Sequence, residues 1–122
     1  LLKQDLVEKI QNLDLQDTIK LYGKLPRQAV FNKMAQSKIL LHTSKYESFG
    51  FVFLEALYSG MQISSYNVGL ATPSEDWKIG NNKAALLEAC KRLLSNPKKE
   101  KKRIVVPLKL ETTDRYIKLY HA

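Results

Sequence analysis

Two carboxylates stand out in the stretch KYESFGFVFLEALYSG, residues 45–60. From Phe49 to Tyr58 nearly every side chain is apolar, and Glu55 interrupts the run. A carboxylate inside an apolar helix is costly unless something pairs with it. Glu47 lies eight residues earlier, just before the helix that this segment predicts. Neither acid has a basic residue three or four positions away within the helix, so no local salt bridge accounts for Glu55. A helix beginning near Ser48 or Phe49 puts Glu55 about two turns in, roughly 10 Å along the axis from Glu47. Carboxylates spaced in this way can accept hydrogen bonds from hydroxyls at opposite ends of an extended polyol. The bland alternatives are an N-terminal acid that suits the helix dipole, for Glu47, and a distant lysine partner, for Glu55.

The turn SKYESFG offers a second kind of chemistry. ILLHTS reads as a strand ending at Ser44, and the backbone amides of Phe49, Gly50 and Phe51 form the positive end of the next helix, suited to phosphate. Gly50 has no side chain, so a ligand can approach the backbone there. Ligands of open parallel sheets bind beyond the carboxyl ends of the strands, where this turn falls.

The elements that must position these groups follow from periodicity. Leu6, Ile10 and Leu13 have helical spacing, and Ile19, Leu21 and the turn marker Gly23 read as a short strand. Pro26 opens a helix whose stripe is Val30, Phe31 and Met34. ILLHTS, a continuous apolar run, is expected to be buried on both faces. The helix containing Glu55 stops at Gly60, QISSYN is a further strand, and DWKIG is a short one. Asn82 caps a helix over KAALLEACKRLLS, ended by Asn96-Pro97, and Thr113 caps a last helix over DRYIKLYHA. RIVVPLKL between them has no clear period. Helix and strand alternate, which predicts an α/β fold, a doubly wound parallel sheet of Rossmann-like kind with helices on both faces.

Composition bounds the rest. The 122 residues allow one core and are short for a complete enzyme. The chain begins without Met in the middle of a helical pattern, which reads as a fragment whose first strands precede residue 1. No apolar run approaches the ~20 residues of a membrane helix, and LLKQDLVEKI is no signal peptide. Cys90 is the one cysteine, read as a small buried residue, so a disulfide framework and a thiolate metal cluster are excluded. This usage points to a reducing, cytoplasmic compartment. The formal charge of +8 is concentrated in NPKKEKKR, where Lys98, Lys99, Lys101, Lys102 and Arg103 lie together. Such a run is ordinarily a solvated face; its functional alternative is peripheral contact with an acidic membrane surface. No aromatic residue interleaves with it, which argues against nucleic acid.

The segment ESFGFVFLEALYSGMQISSYNVG resembles the donor-site signature of retaining glycosyltransferases of the GT-B fold, the group that includes sucrose synthases and mannosyltransferases. Glu47 and Glu55 match its E-x7-E spacing, Phe49-Gly50 its internal FG pair, and Gly60 its later glycine. Upstream, DTIKLYGKLPRQAVFNKMAQSKILLHTS is similar to the strand, glycine, helix and strand that lead to the family's Pro-Ser pair, with Thr43 in place of the proline. The resemblance implies one partial domain over 1–122, the C-terminal, nucleotide-sugar-binding half of the enzyme. It implies that Glu47, the expected catalytic residue, and Ser48, Phe49, Gly50 and Phe51 contact the donor sugar and phosphate. Glu55 is expected to hold the ribose of the nucleotide. No metal or other cofactor is expected, and the acceptor, a glycan or lipid-linked species, would bind a missing N-terminal domain. One departure stands out: the family's next loop has two glycines, and here Gly69 is followed by Leu70. No role is therefore carried over to Ser74 or Glu75. His42 precedes the turn, where it could line the cleft, but a strand histidine between Leu41 and Thr43 is more often structural, and it has no carboxylate partner nearby in sequence. The alternatives are a sugar-nucleotide epimerase or phosphorylase of similar architecture, and a degenerate domain that binds a protein or a membrane surface.

Overall fold

The computed structural model describes residues 3–95. Seven elements follow one another: α1 (Lys3–Asn12), α2 (Arg27–Gln36), β1 (Ile39–His42), α3 (Phe51–Tyr58), β2 (Gln62–Ser65), β3 (Trp77–Ile79) and α4 (Lys83–Ser95). The strands form a parallel sheet in the order β1-β2-β3. Ile39 pairs in register with Gln62 and His42 with Ser65, while Ile63 pairs with Trp77 and Ser65 with Ile79. The chain thus has the expected Rossmann-like α/β arrangement, with helices on both faces of the sheet.

The two faces follow from the alternation along β2. Ile63 joins Trp77, Phe53, Ala56, Leu57, Met61 and Met34 in one buried cluster, which seats α3, backed by α2, on one face. Ser64 points the other way, and its hydroxyl donates to the carbonyl of Leu86 at 2.9 Å. Leu86, Ala89 and Leu93 form the buried stripe of α4 on that second face. Two serines in the middle of a core strand would be unfavourable without partners. Ser65 Oγ donates to the Tyr66 carbonyl at 2.9 Å and accepts from the Trp77 indole at 2.8 Å, so both hydroxyls are satisfied.

The helix ends obey local chemistry. Asn82 Oδ1 accepts from the Ala85 amide at 2.8 Å and caps α4 as its sequence predicts. At the end of α3 the amide of Gly60 donates to Leu57 and that of Met61 to Ala56, the paired pattern that a left-handed glycine permits.

Four expectations are corrected. Residues 18–25 form no strand: Ile19 and Leu21 are exposed, and no described strand lies beside them to complete a ladder. Alternating side chains without a hydrogen-bonding neighbour leave an irregular segment. It is held to α2 by Lys33, which donates to the Tyr22 hydroxyl at 3.1 Å and lies 4.3 Å from the ring centroid. That bond and the lysine charge lower the phenol below its ordinary range. Second, β1 is not buried on both faces: it is the edge strand among the described residues, with Leu41 exposed, and the wholly buried strand is β2. Third, α3 begins at Phe51 rather than near Ser48, because Gly50 occupies the left-handed region at φ 87° and turns the chain there. Fourth, Cys90 is half-buried, at the margin of the α4 stripe, and its thiol is free. The basic run 98–103, RIVVPLKL and the predicted helix after Thr113 lie outside the described residues.

Trp77→Phe removes the indole donor and part of the ring that fills the core beside Phe53, whose centroid is 4.8 Å away. Equilibrium urea unfolding is expected to show a loss of roughly 1–3 kcal/mol at unchanged m-value.

Candidate functional site

The turn after β1 and the loop after β2 meet at the carboxyl end of the sheet. Leu70 donates its backbone amide to the carbonyl of Phe49 at 2.9 Å, which ties the second loop to the first. The approach is close because Gly69 carries no side chain. A Cβ there would lie 2.5 Å from the Phe49 oxygen, and the residue has a φ of 55°. Gly50 is equally constrained: a Cβ would lie 2.6 Å from Cδ2 of Phe53, which is wholly buried beneath it. Both missing side chains also make room for Glu47, whose Cγ would be 3.1 Å from a Cβ at Gly50 and 3.3 Å from one at Gly69. The spacing of Glu47 from these glycines is therefore a packing requirement.

Glu47 does not stand alone at the rim. Its Oε2 lies 3.5 Å from Nε2 of His42, the last residue of β1. The imidazole packs edge-on against Phe53, with centroids 4.7 Å apart and the planes inclined by 62°. His42 is the residue that sequence reasoning set aside as structural, for want of a carboxylate partner nearby in sequence. Five positions separate it from Glu47, and only the turn from Thr43 to Tyr46, in which the Ser44 hydroxyl donates to the Tyr46 carbonyl at 2.8 Å, folds the two together. The available signal was a polar ring closing an otherwise apolar strand.

Glu55 differs from expectation in one respect. It lies half-buried, on the stripe of α3 that carries Phe51 and Tyr58, while Leu54, Ala56 and Leu57 on either side are buried. The start of the helix at Phe51 puts Glu55 about one turn inside it, about 6 Å along the axis, rather than the two turns expected for a helix starting near Ser48 or Phe49. Its side chain has no hydrogen bond or ion pair among the described residues. The remaining predicted residues surround the helix start. Ser48 is exposed, the rings of Phe49 and Phe51 are half-exposed with centroids 4.6 Å apart, and no side chain caps α3.

An open cleft of about 420 Å³ lies at the carboxyl ends of the strands, between Lys45, the loop at Tyr66–Val68 and the segment from Gly80 to Lys83. Glu47 and Glu55 do not line it; the turn after β1 contributes Lys45 instead. Ser74 and Glu75, given no role above, lie away from this edge. Ser74 closes the turn into β3, where its Oγ accepts from the Asp76 amide at 3.2 Å and its carbonyl accepts from Lys78 Nζ at 3.2 Å. Among the described residues no group of three or more His, Cys, Asp and Glu side chains is placed to hold a metal ion, and no helix is long and apolar enough to cross a membrane.

Gly69→Ala is expected to destabilise more than Gly23→Ala. Both residues are left-handed, which costs an alanine roughly 1–2 kcal/mol, but nothing lies within 4 Å of a Cβ at Gly23. Urea unfolding of the two variants gives the ranking, and displaced amide resonances of Phe49 and Leu70 in Gly69→Ala alone would locate the added strain.

The chain matches no curated protein and no solved structure. It does match one family, Glycosyl transferases group 1, over residues 2–105, a span that contains every element described above. A match over that much of the chain, on a parallel α/β sheet of the kind such enzymes use, places this protein among the group 1 glycosyltransferases, enzymes that transfer sugars from a donor to an acceptor.

Proposed function

We propose that this chain is the donor-binding, C-terminal part of a retaining GT-B glycosyltransferase with the E-x7-E motif of family 4, and that it takes a nucleotide-sugar. The observation that carries the reading is Glu55: half-buried, on an apolar helix, and without a protein partner among the described residues. An ionised carboxylate in that position retains its full capacity to accept two hydroxyl hydrogen bonds, and a ribose diol supplies two. Glu47 stands at the other end of the same turn and takes the donor sugar, as the catalytic residue. Ser48, Phe49 and Phe51 supply the peptide edge on which sugar and phosphate rest, and Gly50 turns the chain between them.

The chemistry asked of this half is to bind the donor and stabilise the leaving diphosphate. The start of α3 suits that task. No side chain caps it, which leaves its first amides without a side-chain acceptor; Gly50 itself is buried against Phe53 and Glu47, so a ligand does not reach its backbone as the sequence suggested. Fixed dipoles aimed at the oxygen that gains charge need no reorganisation during reaction, which makes them effective electrostatic catalysts. The reading uses no metal or other cofactor. The acceptor, a glycan or a lipid-linked species, is assigned to a further N-terminal domain, residues 1–122 being one partial domain. Lys98–Arg103 offer peripheral contact with an anionic, cytoplasmic membrane face.

A second reading, a domain that no longer binds donor, is favoured by one observation. Leu70 replaces a glycine of the family loop, its amide is already given to Phe49, and its side chain packs on the core cluster. That loop has lost the freedom to close on a phosphate.

Glu55→Ala separates the two. Calorimetric titration with UDP-, GDP- and ADP-sugars is expected to show donor binding to the native chain, weakened at least tenfold in the variant, since a hydrogen bond to a charged group is worth about 1.5–3 kcal/mol. The unfolding midpoint should be unchanged, because Glu55 has no partner among the described residues to lose. Binding absent from the native chain would favour the second reading, and an unfolded variant would make Glu55 structural.

A further inference from the structure

We infer that His42 is a positioning residue for Glu47: a neutral imidazole, protonated on Nε2, that fixes the carboxylate beside the helix start. The inference rests on the reading of Glu47 as a donor-sugar contact. The ring is clamped before it does anything polar. It closes β1 in register with Ser65 and packs edge-on against Phe53, itself held against Trp77. Its Nδ1 is buried and has no hydrogen-bond partner among the described residues. An apolar residue would fill the same space without that orphaned nitrogen, so packing alone does not account for a histidine.

The orphan decides the tautomer. A proton on Nδ1 would bury an unpaired donor and turn the lone pair of Nε2 toward a carboxylate oxygen. A proton on Nε2 leaves Nδ1 as a bare acceptor and directs the N–H toward Glu47 Oε2, 3.5 Å away. That distance is longer than an ordinary hydrogen bond and closes with a small shift, as contacts of this kind tighten when a ligand binds. The histidine side chain is 14% exposed and that of Glu47 31%, so the contact is partly shielded while the carboxylate can still be reached. At the other end of the glutamate, the bare Cα atoms of Gly50 and Gly69 leave just the room its Cγ occupies. Packing at the methylenes and a donor at the tip together leave Glu47 few rotamers, so less entropy is lost when a sugar hydroxyl arrives.

The test combines imidazole NMR of the ligand-free chain with nucleotide-sugar titrations of His42→Leu, His42→Gln and Glu47→Gln. Leucine keeps the packing on Phe53, and glutamine restores a donor near Nε2. Long-range proton–nitrogen spectra should show the Nε2–H tautomer, and Glu47→Gln should displace the His42 nitrogen resonances. His42→Leu should weaken nucleotide-sugar binding about tenfold, His42→Gln should recover most of it, and His42→Leu should add little on top of Glu47→Gln. An Nδ1–H tautomer, or His42 resonances indifferent to Glu47→Gln, overturns the inference whatever the binding results. So does a His42→Gln variant as impaired as His42→Leu. If the native chain binds no nucleotide-sugar, the donor reading falls, and the response of His42 to Glu47→Gln alone decides the pairing.

Discussion

The hydrogen bond from the Leu70 amide to the Phe49 carbonyl is the constraint on which the site depends. It joins two loops that leave adjacent strands, and it forms only because Gly69 brings bare backbone to within van der Waals reach of Phe49. Once the loops are joined, the turn from Thr43 to Gly50 cannot swing away from the sheet. Glu47 is then enclosed between two glycines, and α3 must start where Gly50 turns the chain. Two left-handed glycines and one peptide hydrogen bond therefore set where Glu47 and the first amides of α3 lie. The effect extends downward as well. With Gly50 seated over Phe53, that ring is pressed between His42 and Trp77, so the site and the core share one aromatic column.

The same bond explains how an altered glycine loop remains ordered. A second glycine after Gly69 would leave the loop free to move toward a ligand. Leu70 instead packs on the cluster of Phe53, Ile63 and Trp77 while its amide serves Phe49. Stability is gained and mobility is given up at a position adjacent to the candidate site, a trade expected wherever rigid packing meets a loop that could bind.

What could be read in the sequence divides along the range of the interaction. Local patterns were legible. The stripe of Leu86, Ala89 and Leu93, the Asn82 cap, the stop at Gly60 and the short strand at Trp77–Ile79 depend on neighbours within a turn or two, and each is present. The segment at Ile19–Leu21 was misread because a strand is a property of a pair, and no described strand lies beside this one. The burial of β1 and β2 was misjudged for the same reason. Apolar content marks ILLHTS as the inner strand, yet sheet order places QISS there and hides two serines whose partners, Leu86 and Trp77, are distant in sequence. In the site itself, Glu47, Gly50 and Glu55 were visible by type and spacing. The contact of His42 with Glu47 was not, since it depends on how the turn folds back.

The difference between the two glutamates then has a physical origin. Glu47 is confined by its surroundings, with glycine gaps along its stem and an imidazole 3.5 Å from its tip, so little adjustment is left for a ligand to impose. Glu55 has only the helix beneath it, and its carboxylate is free among the described residues to take whatever donors come within reach. On the proposed reading, in which Glu47 takes the donor sugar and Glu55 the ribose, the site gains from that division. Precision at the sugar end is worth the entropy spent in folding, because misplacement there is multiplied into the rate. At the proposed ribose end an unpaired carboxylate would suffice, since two hydroxyls on a rigid ring would select its rotamer as they bind.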